Sequence, residues 1–358
     1  MQFSESIKRN DFLVTTHLES CCPDDAFDAI KTANFFSSFI NGMLISDELQ
    51  FNSKIGSIAI CHLLKDSGID PIVHIACSGK TKKLLEAFLM TSWMLGIKNL
   101  CITSEKVSIK KSKSETSETK EVNALQLINL IHRLKEGKDF SNKNIREKPS
   151  FTVGTLLNLE NGNSESCGET IKQKIEAGIE FIITTPIYSI RQIENLIQYT
   201  EGKGVKIIAG VMPVLSVEAA RRVNHSQHEK PITSEIIERL GKAKNSIMEG
   251  IHIASELVKE IKNKVNGIHL VASEKIIPKV LKESSISQIP SLSLMKEEND
   301  FQKLNQIFEG KLSIKELEKA YIIRVLKNNR GNRSAAAEVL GIHRNTLMRK
   351  CQEFEINI

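Results

Sequence analysis

The residues of this chain that could do chemistry gather at the carboxyl ends of short apolar runs. They are His17 and Glu19 with Cys21–Cys22, His74 with Cys77, Thr103 with Ser104 and Glu105, then Asn158, Thr184–Thr185, Met212–Pro213 and Ser273. Glu19 is the carboxylate that directly follows the first run. A carboxyl shielded from water there holds a raised pKa and serves as a general acid. His74 suits donation to a carbonyl or anionic oxygen. Cys21–Cys22, with Cys77, has the atoms for redox or metal chemistry; the plain alternative is small side chains filling apolar space. For the others the alternative is a satisfied polar residue at a strand end. A second group lies near the carboxyl end. There His343, Arg344, Asn345, Thr346, Arg349 and Lys350 crowd hydrogen-bond donors into one short stretch.

Such residues need elements to hold them. Eight apolar, β-branched runs recur: residues 12–18, 35–40 ("FFSSFI"), 71–76, 99–104, 151–157, 181–186, 205–211 and 267–272. The segments between them carry apolar residues at three- and four-residue spacing, and several stop at Gly, as helices do. Eight strand–helix units in roughly 280 residues predict an α/β fold, a (β/α)8 barrel with its chemistry at the carboxyl ends of the strands. A doubly wound open sheet is the runner-up. The Ser/Lys/Glu-rich stretch 104–121 reads as a loop leaving the fourth strand. Residues 284–311, mixing Ser and Pro without a period at their start, read as a linker. The expected domains are therefore 1–283 and 312–358.

Totals narrow the function classes. The 358 residues carry a net charge of +6, too small to mark the whole chain as a nucleic-acid binder. Its distribution is uneven: residues 313–358 hold nine Lys and Arg against five Glu. The seven cysteines are odd in number and show no CxxC spacing, so neither a disulfide scaffold nor a structural zinc is expected. No apolar run approaches the ~18 residues of a membrane span, and no signal peptide opens the chain. A cytoplasmic protein without a metal is the expectation.

In the carboxyl-terminal part, "SIKELEKAYIIRVLKNN" places Ile314, Leu317, Tyr321, Ile322, Val325 and Leu326 on one helical face, and Ser313 with Glu316 can form a capping box. "GNRSAAAEVLG" predicts a short helix whose alanines permit close packing. Gly341 ends it where a tight turn needs φ > 0. The following helix turns Leu347 and Cys351 inward and leaves the basic residues outside, a helix-turn-helix of the kind that enters the major groove. "GNRSAAAEVLGIHRNTLMRK" resembles the Fis-type helix-turn-helix at the ends of enhancer-binding transcription activators. The resemblance covers about 45 residues. It implies DNA binding as a homodimer, with "LEKAYIIRVL" helping dimerisation and His343, Arg344, Asn345, Thr346, Arg349 and Lys350 facing DNA.

The larger part resembles methylenetetrahydrofolate reductase. "LESCCP", "GIDPIVHIAC", "LGIKNL", "KQKIEAGIEFIITTPIY", "IIAGVMPV" and "GIHLV" follow the family's order and spacing over about residues 10–282. The resemblance implies an eight-stranded barrel with FAD over its strand ends. It also implies hydride transfer from NAD(P)H or another reductant, through the flavin, to a folate substrate, 5,10-methylenetetrahydrofolate. Glu19 then matches the family's proton donor. His74, Thr103, Glu105, Ala124 and Lys174 match cofactor-binding positions, and Thr185 matches a pterin-binding one. Departures are specific. Ser104, Glu105 and Lys106 stand where the family has Arg-Gly-Asp, so either Glu105 substitutes from one position away or a cation sits near the flavin. Ser20-Cys21-Cys22-Pro23 replaces Phe-Phe-Pro-Pro, Gln173 replaces Arg, and Thr185 replaces Gln. A Thr cannot make the paired amide contacts of a Gln. Two lost contacts of about 1–3 kcal/mol each weaken folate binding well over tenfold. A barrel that senses flavin or folate for a transcription regulator is the alternative this leaves open.

Overall fold

In the computed structural model the described residues are 3–18, 30, 33–37, 39–46, 56–77, 80–103, 122–159, 165–226, 231–286, 318–319, 321–323, 325–326, 332–354 and 356. They divide into two compact units, Met1–Gln288 and Ile289–Ile358. The first is a closed barrel of eight parallel strands in sequential order. These are β1 (Leu13–Leu18), β2 (Gly42–Ile45), β3 (Pro71–Ala76), β4 (Asn99–Thr103), β5 (Thr152–Leu157), β6 (Phe181–Ile187), β7 (Lys206–Val211) and β8 (Gly267–Leu270). Closure comes from β1 pairing with β8, Thr15 opposite His269. The strands read as apolar runs because both faces are covered, one by the barrel interior and one by helices.

Helix α1 (Phe3–Arg9) precedes the barrel and seals the amino-terminal ends of the strands. Its Phe3 and Ile7 join Leu13, Leu44, Ile72, Cys101, Phe181, Ile183 and Ile208 in one buried cluster. Phe3 meets the Phe181 ring edge-on, with centroids 5.1 Å apart. Gly154 is required beside them, since a Cβ there would lie 2.4 Å from the Phe181 ring. This end is apolar and filled, so any site must open at the other end.

Outside the strands lie α2 (Ser57–Asp66), α3 (Lys82–Met94), α4 (Ala124–Lys135), α5 (Glu165–Glu176), α6 (Glu194–Thr200), α7 (Val217–Ser226), α8 (Ser234–Lys242), α9 (Ser246–Ile261) and α10 (Ile277–Glu283). Local signals start several of them. Asn123 and Gln126 form a reciprocal capping box on α4, and the Asn245 side chain accepts from the Ile247 and Met248 N–H groups at the start of α9. Among the described residues no helix is long and apolar enough to cross a membrane.

One expected strand is displaced. "FFSSFI" does not form the second strand: residues 33–36 are helical, and β2 is the shorter "GMLI" that follows. The physical reason lies in ring spacing and register. Phe35 packs on Phe39, centroids 5.5 Å apart, the i,i+4 contact of a helical turn. Gly42 instead fits between Ile72 and Phe3, both 3.1 Å from where a Cβ would stand, in register with Thr15 of β1. The charged stretch 104–121 and most of the expected linker fall outside the described residues.

The second unit packs around Ile322, Val325, Leu326, Ala336, Ala337, Leu347, Cys351, Phe354 and Ile356. Helix α11 (Arg333–Val339) brings Ala336 and Ala337 into this core, and Gly341 turns the chain with φ +65° into α12 (Arg344–Glu353). An L side chain is strained at that φ, which is why Gly sits there. Tyr321, placed by periodicity on the apolar face, is 54% exposed.

Candidate functional site

Strand register decides which side chains enter the barrel. Leu44, Ile72, Cys101, Phe181 and Ile208 belong to the interior cluster. Alternation carries His17 onto the same face as Thr15, and His74 and Thr103 onto the face of Ile72 and Cys101. His269 shares that face, being opposite Thr15 and Gly210. The interior therefore changes character along its axis, from Phe and Ile at the sealed end to imidazoles and hydroxyls toward the carboxyl-terminal mouth.

Beneath the mouth, His269 is buried and shares a 3.0 Å hydrogen bond between its Nδ1 and Thr15 Oγ1. Burial pushes its pKa down to about 3, and the charge of nearby His17 adds to the effect. His269 is thus a neutral imidazole at any ordinary pH. The half-buried His17 ring lies over it, centroids 5.7 Å apart and tilted by 39°. His74 enters from β3 and is 6% exposed, while Thr103 ends β4 at 3% exposed. The Thr103 carbonyl accepts from the Cys77 N–H at 3.4 Å, tying the ends of β3 and β4. Lys80 donates to the Ala76 carbonyl at 3.0 Å, which brings a cation to the end of β3. Burial raises the Cys77 thiol to about 11 and Cys101 to about 12, even though Lys80 and Lys174 for the first and Lys174 for the second oppose it. Neither is a thiolate nucleophile near neutrality. Among the described residues no group of three or more His, Cys, Asp or Glu could hold a metal ion.

Thr185 lies at a bulge between Ile183 and Pro186. Its hydroxyl accepts from the Leu159 N–H at 3.2 Å, bridging β6 to the segment after β5. The preceding Thr184 accepts from Gly210 N–H and donates to the Thr185 carbonyl. Gly210 has to be glycine, because a Cβ would lie 2.4 Å from the Thr184 carbonyl oxygen. Lys174 is 6% exposed and its Nζ donates to Thr155 Oγ1 at 2.9 Å. Thr155 alternates with the inward Gly154 and donates to the Ile102 carbonyl, so this ammonium sits in the wall between β5 and the helix layer. Ala124 is fully buried as the first residue of α4. Glu19, Glu105 and Cys21–Cys22 lie outside the described residues.

His74 and Thr103 are therefore brought toward the mouth, whereas Lys174 and Ala124 sit in the surrounding wall. The pairing of His17 with His269 leaves no local trace in the sequence. The apolar-run ends place His17 at the mouth, but nothing local relates it to a residue 252 positions on.

On the second unit, His343 caps α12, its Nδ1 accepting from the Asn345 N–H at 3.3 Å. Arg344, Asn345 and Arg349 are exposed, and Thr346 is half-buried. Lys350 is engaged differently. Its Nζ pairs with Glu318 at 2.5 Å and lies 6.0 Å from the Phe354 ring centroid, which ties α12 to the preceding helical segment.

The family model described as Methylenetetrahydrofolate reductase matches residues 46–285, which is 240 of the 358 residues. The chain belongs to the methylenetetrahydrofolate reductase family. A second model, Bacterial regulatory protein, Fis family, matches residues 313–354. Among solved structures, one similar chain is an uncharacterized protein from Clostridium thermocellum that binds two copies of 5-methyl-5,6,7,8-tetrahydrofolic acid. It aligns at a TM-score of 0.55 and 13% identity, over 80% of this chain and 99% of that one. Tryptophan synthase from Mycobacterium tuberculosis also aligns, with a TM-score of 0.45 and 8% identity over 80% of this chain and 93% of that one. At 13% identity the likeness to the first of these concerns the fold alone. No curated protein matches the chain.

Proposed function

We propose that the barrel binds FAD at its mouth and reduces 5,10-methylenetetrahydrofolate to the 5-methyl compound, and that the carboxyl-terminal unit binds DNA as a homodimer. One observation carries the first half: a family-matched barrel sealed at one end by Phe3 and Phe181, with its imidazoles and hydroxyls, His17, His74 and Thr103, toward the other. A flat heterocycle edged with carbonyl and N–H groups suits that donor set, so the residues fit a flavin or a pterin. FAD, when bound, supplies two-electron hydride chemistry, with NAD(P)H as donor and the folate methylene as acceptor. The rest falls to the chain. Glu19 gives the proton that opens the folate imidazolidine ring at nitrogen, so hydride and proton together balance the reduction. His74 and Thr103 orient the heterocycle, and Glu105 takes the role of the family's Asp. Lys174 stiffens the β5 wall, and Ala124 packs at the start of α4.

A second reading has a specific observation in its favour. Thr185 uses its hydroxyl to hold Leu159, so the pterin edge gains little from it, and a barrel that binds without turnover would serve the DNA-binding unit as a sensor. Both readings are of a cytoplasmic protein. An absorption spectrum of the purified chain, then anaerobic titration with 5-methyltetrahydrofolate, separates them. A flavin band that bleaches supports the reductase, and Glu19→Gln should then abolish folate turnover while keeping the band. A band that stays oxidised supports the sensor. No flavin sinks the first.

A further inference from the structure

Helix α12 carries an apolar residue on the face that its charges make a DNA face. Leu347, Cys351 and Phe354 point into the core of the unit. At about 100° per residue, Asn345, Arg349 and Gln352 then point away from that core, with Met348 beside them. All four are exposed. Met348 is 36% exposed, and Arg344 and Gln352 lie one turn to either side of it. Lys350 falls on the opposite flank, held by Glu318 and Phe354. The outward surface of α12 therefore carries the Arg349 guanidinium and the Asn345 and Gln352 amides, with Glu353 on one flank and the flexible thioether of Met348, next to Arg344, on the other.

That set matches base edges better than it matches the phosphate backbone alone. Guanidinium pairs with guanine O6 and N7, and a side-chain amide pairs with adenine N6 and N7. The apolar group that base pairs offer in the major groove is the thymine C5-methyl. An unbranched thioether adapts its shape to such a contact. We propose that Met348 is a specificity-determining residue that reads a thymine methyl in the major groove, between the bases met by Asn345 and Arg349. The assignment rests on the DNA-binding reading above and deepens it. The nine basic against five acidic residues of 313–358 supply the charge complementarity.

The test uses the full chain. A duplex is selected from a randomised pool, and each thymine in it is then replaced singly by deoxyuridine, which removes only the methyl. Burying one methyl corresponds to about three- to fourfold in affinity. One thymine in each half-site should show that loss, and Met348→Ala should bind the thymine and deoxyuridine duplexes equally. Arg349→Ala should bind more weakly yet keep the thymine preference. If no thymine is sensitive, or Met348→Ala keeps the preference, the assignment to Met348 is overturned while DNA binding stands. If no duplex is selected at all, the DNA-binding reading falls and this assignment with it.

Discussion

Replacing His269 should change how barrel stability depends on pH, by an amount the structure sets. In the folded barrel burial holds its pKa at about 3, against 6.5 for an ordinary histidine, and His17 pushes in the same direction. Above about pH 6.5 folded and unfolded chains both carry the neutral ring, and His269 contributes no pH dependence. Below it the unfolded chain takes up a proton that the folded barrel refuses, and this continues down to about pH 3. Within that window His269 alone lowers unfolding free energy by about 1.4 kcal/mol per pH unit once the unfolded imidazole is fully protonated. Between about pH 6 and pH 5 the unfolded ring is mostly protonated, so its share is roughly 1 kcal/mol. The assay is urea unfolding of the barrel at those two values, for the native chain and for His269→Gln, which keeps a hydrogen-bonding group near Thr15. The native chain should lose roughly 1 kcal/mol more than the variant over that interval. Equal losses would refute the reasoning, because they would mean that His269 takes up its proton in the folded barrel as readily as in the unfolded chain.

Gly210→Ala forces a Cβ against the backbone of Thr184 and Thr185, and should cost about 1–3 kcal/mol, seen as a lower thermal midpoint. Lys174→Ala removes a buried ammonium bonded to Thr155, and should cost about 1–3 kcal/mol in urea unfolding. In DNA binding, Lys350→Ala should leave the slope of log affinity against log salt unchanged, since Glu318 already holds its ammonium. Arg349→Ala should reduce that slope by about one. Cys77 and Cys101, with thiols pushed up to about 11 and about 12, should resist a thiol reagent near neutral pH in the native chain and react once it is unfolded. Rapid labelling of either in the folded state would contradict their burial.

Much of the architecture was legible because it rests on local chemistry. Seven of the eight strands stand on the apolar runs that predicted them, since a parallel strand covered on both faces has no polar positions to break the run. The helix-turn-helix was equally plain: alanines, a glycine needing positive φ, and apolar residues at helical spacing all act within a few positions of each other. The second strand was misplaced because aromatic residues suit a helical turn as well as a strand. Only the space between β1 and β3, where Gly42 meets Ile72, selects "GMLI" over "FFSSFI".

The chain by itself thus determined eight strand–helix units, a separate basic unit, and the polar residues that end the strands. Tertiary structure decided which of those residues act together. His17 and His269 meet because barrel closure sets β1 beside β8 in one register, and the same burial strips His269 of its charge. Lys174, read as a cation for the cofactor, is drawn into the wall because Thr155 offers its ammonium a hydrogen bond there. Lys350 leaves the exposed face of α12 because Glu318 and Phe354 hold it on the flank. A residue's type is written in sequence, but its charge state and partners depend on which distant surfaces the fold brings against it.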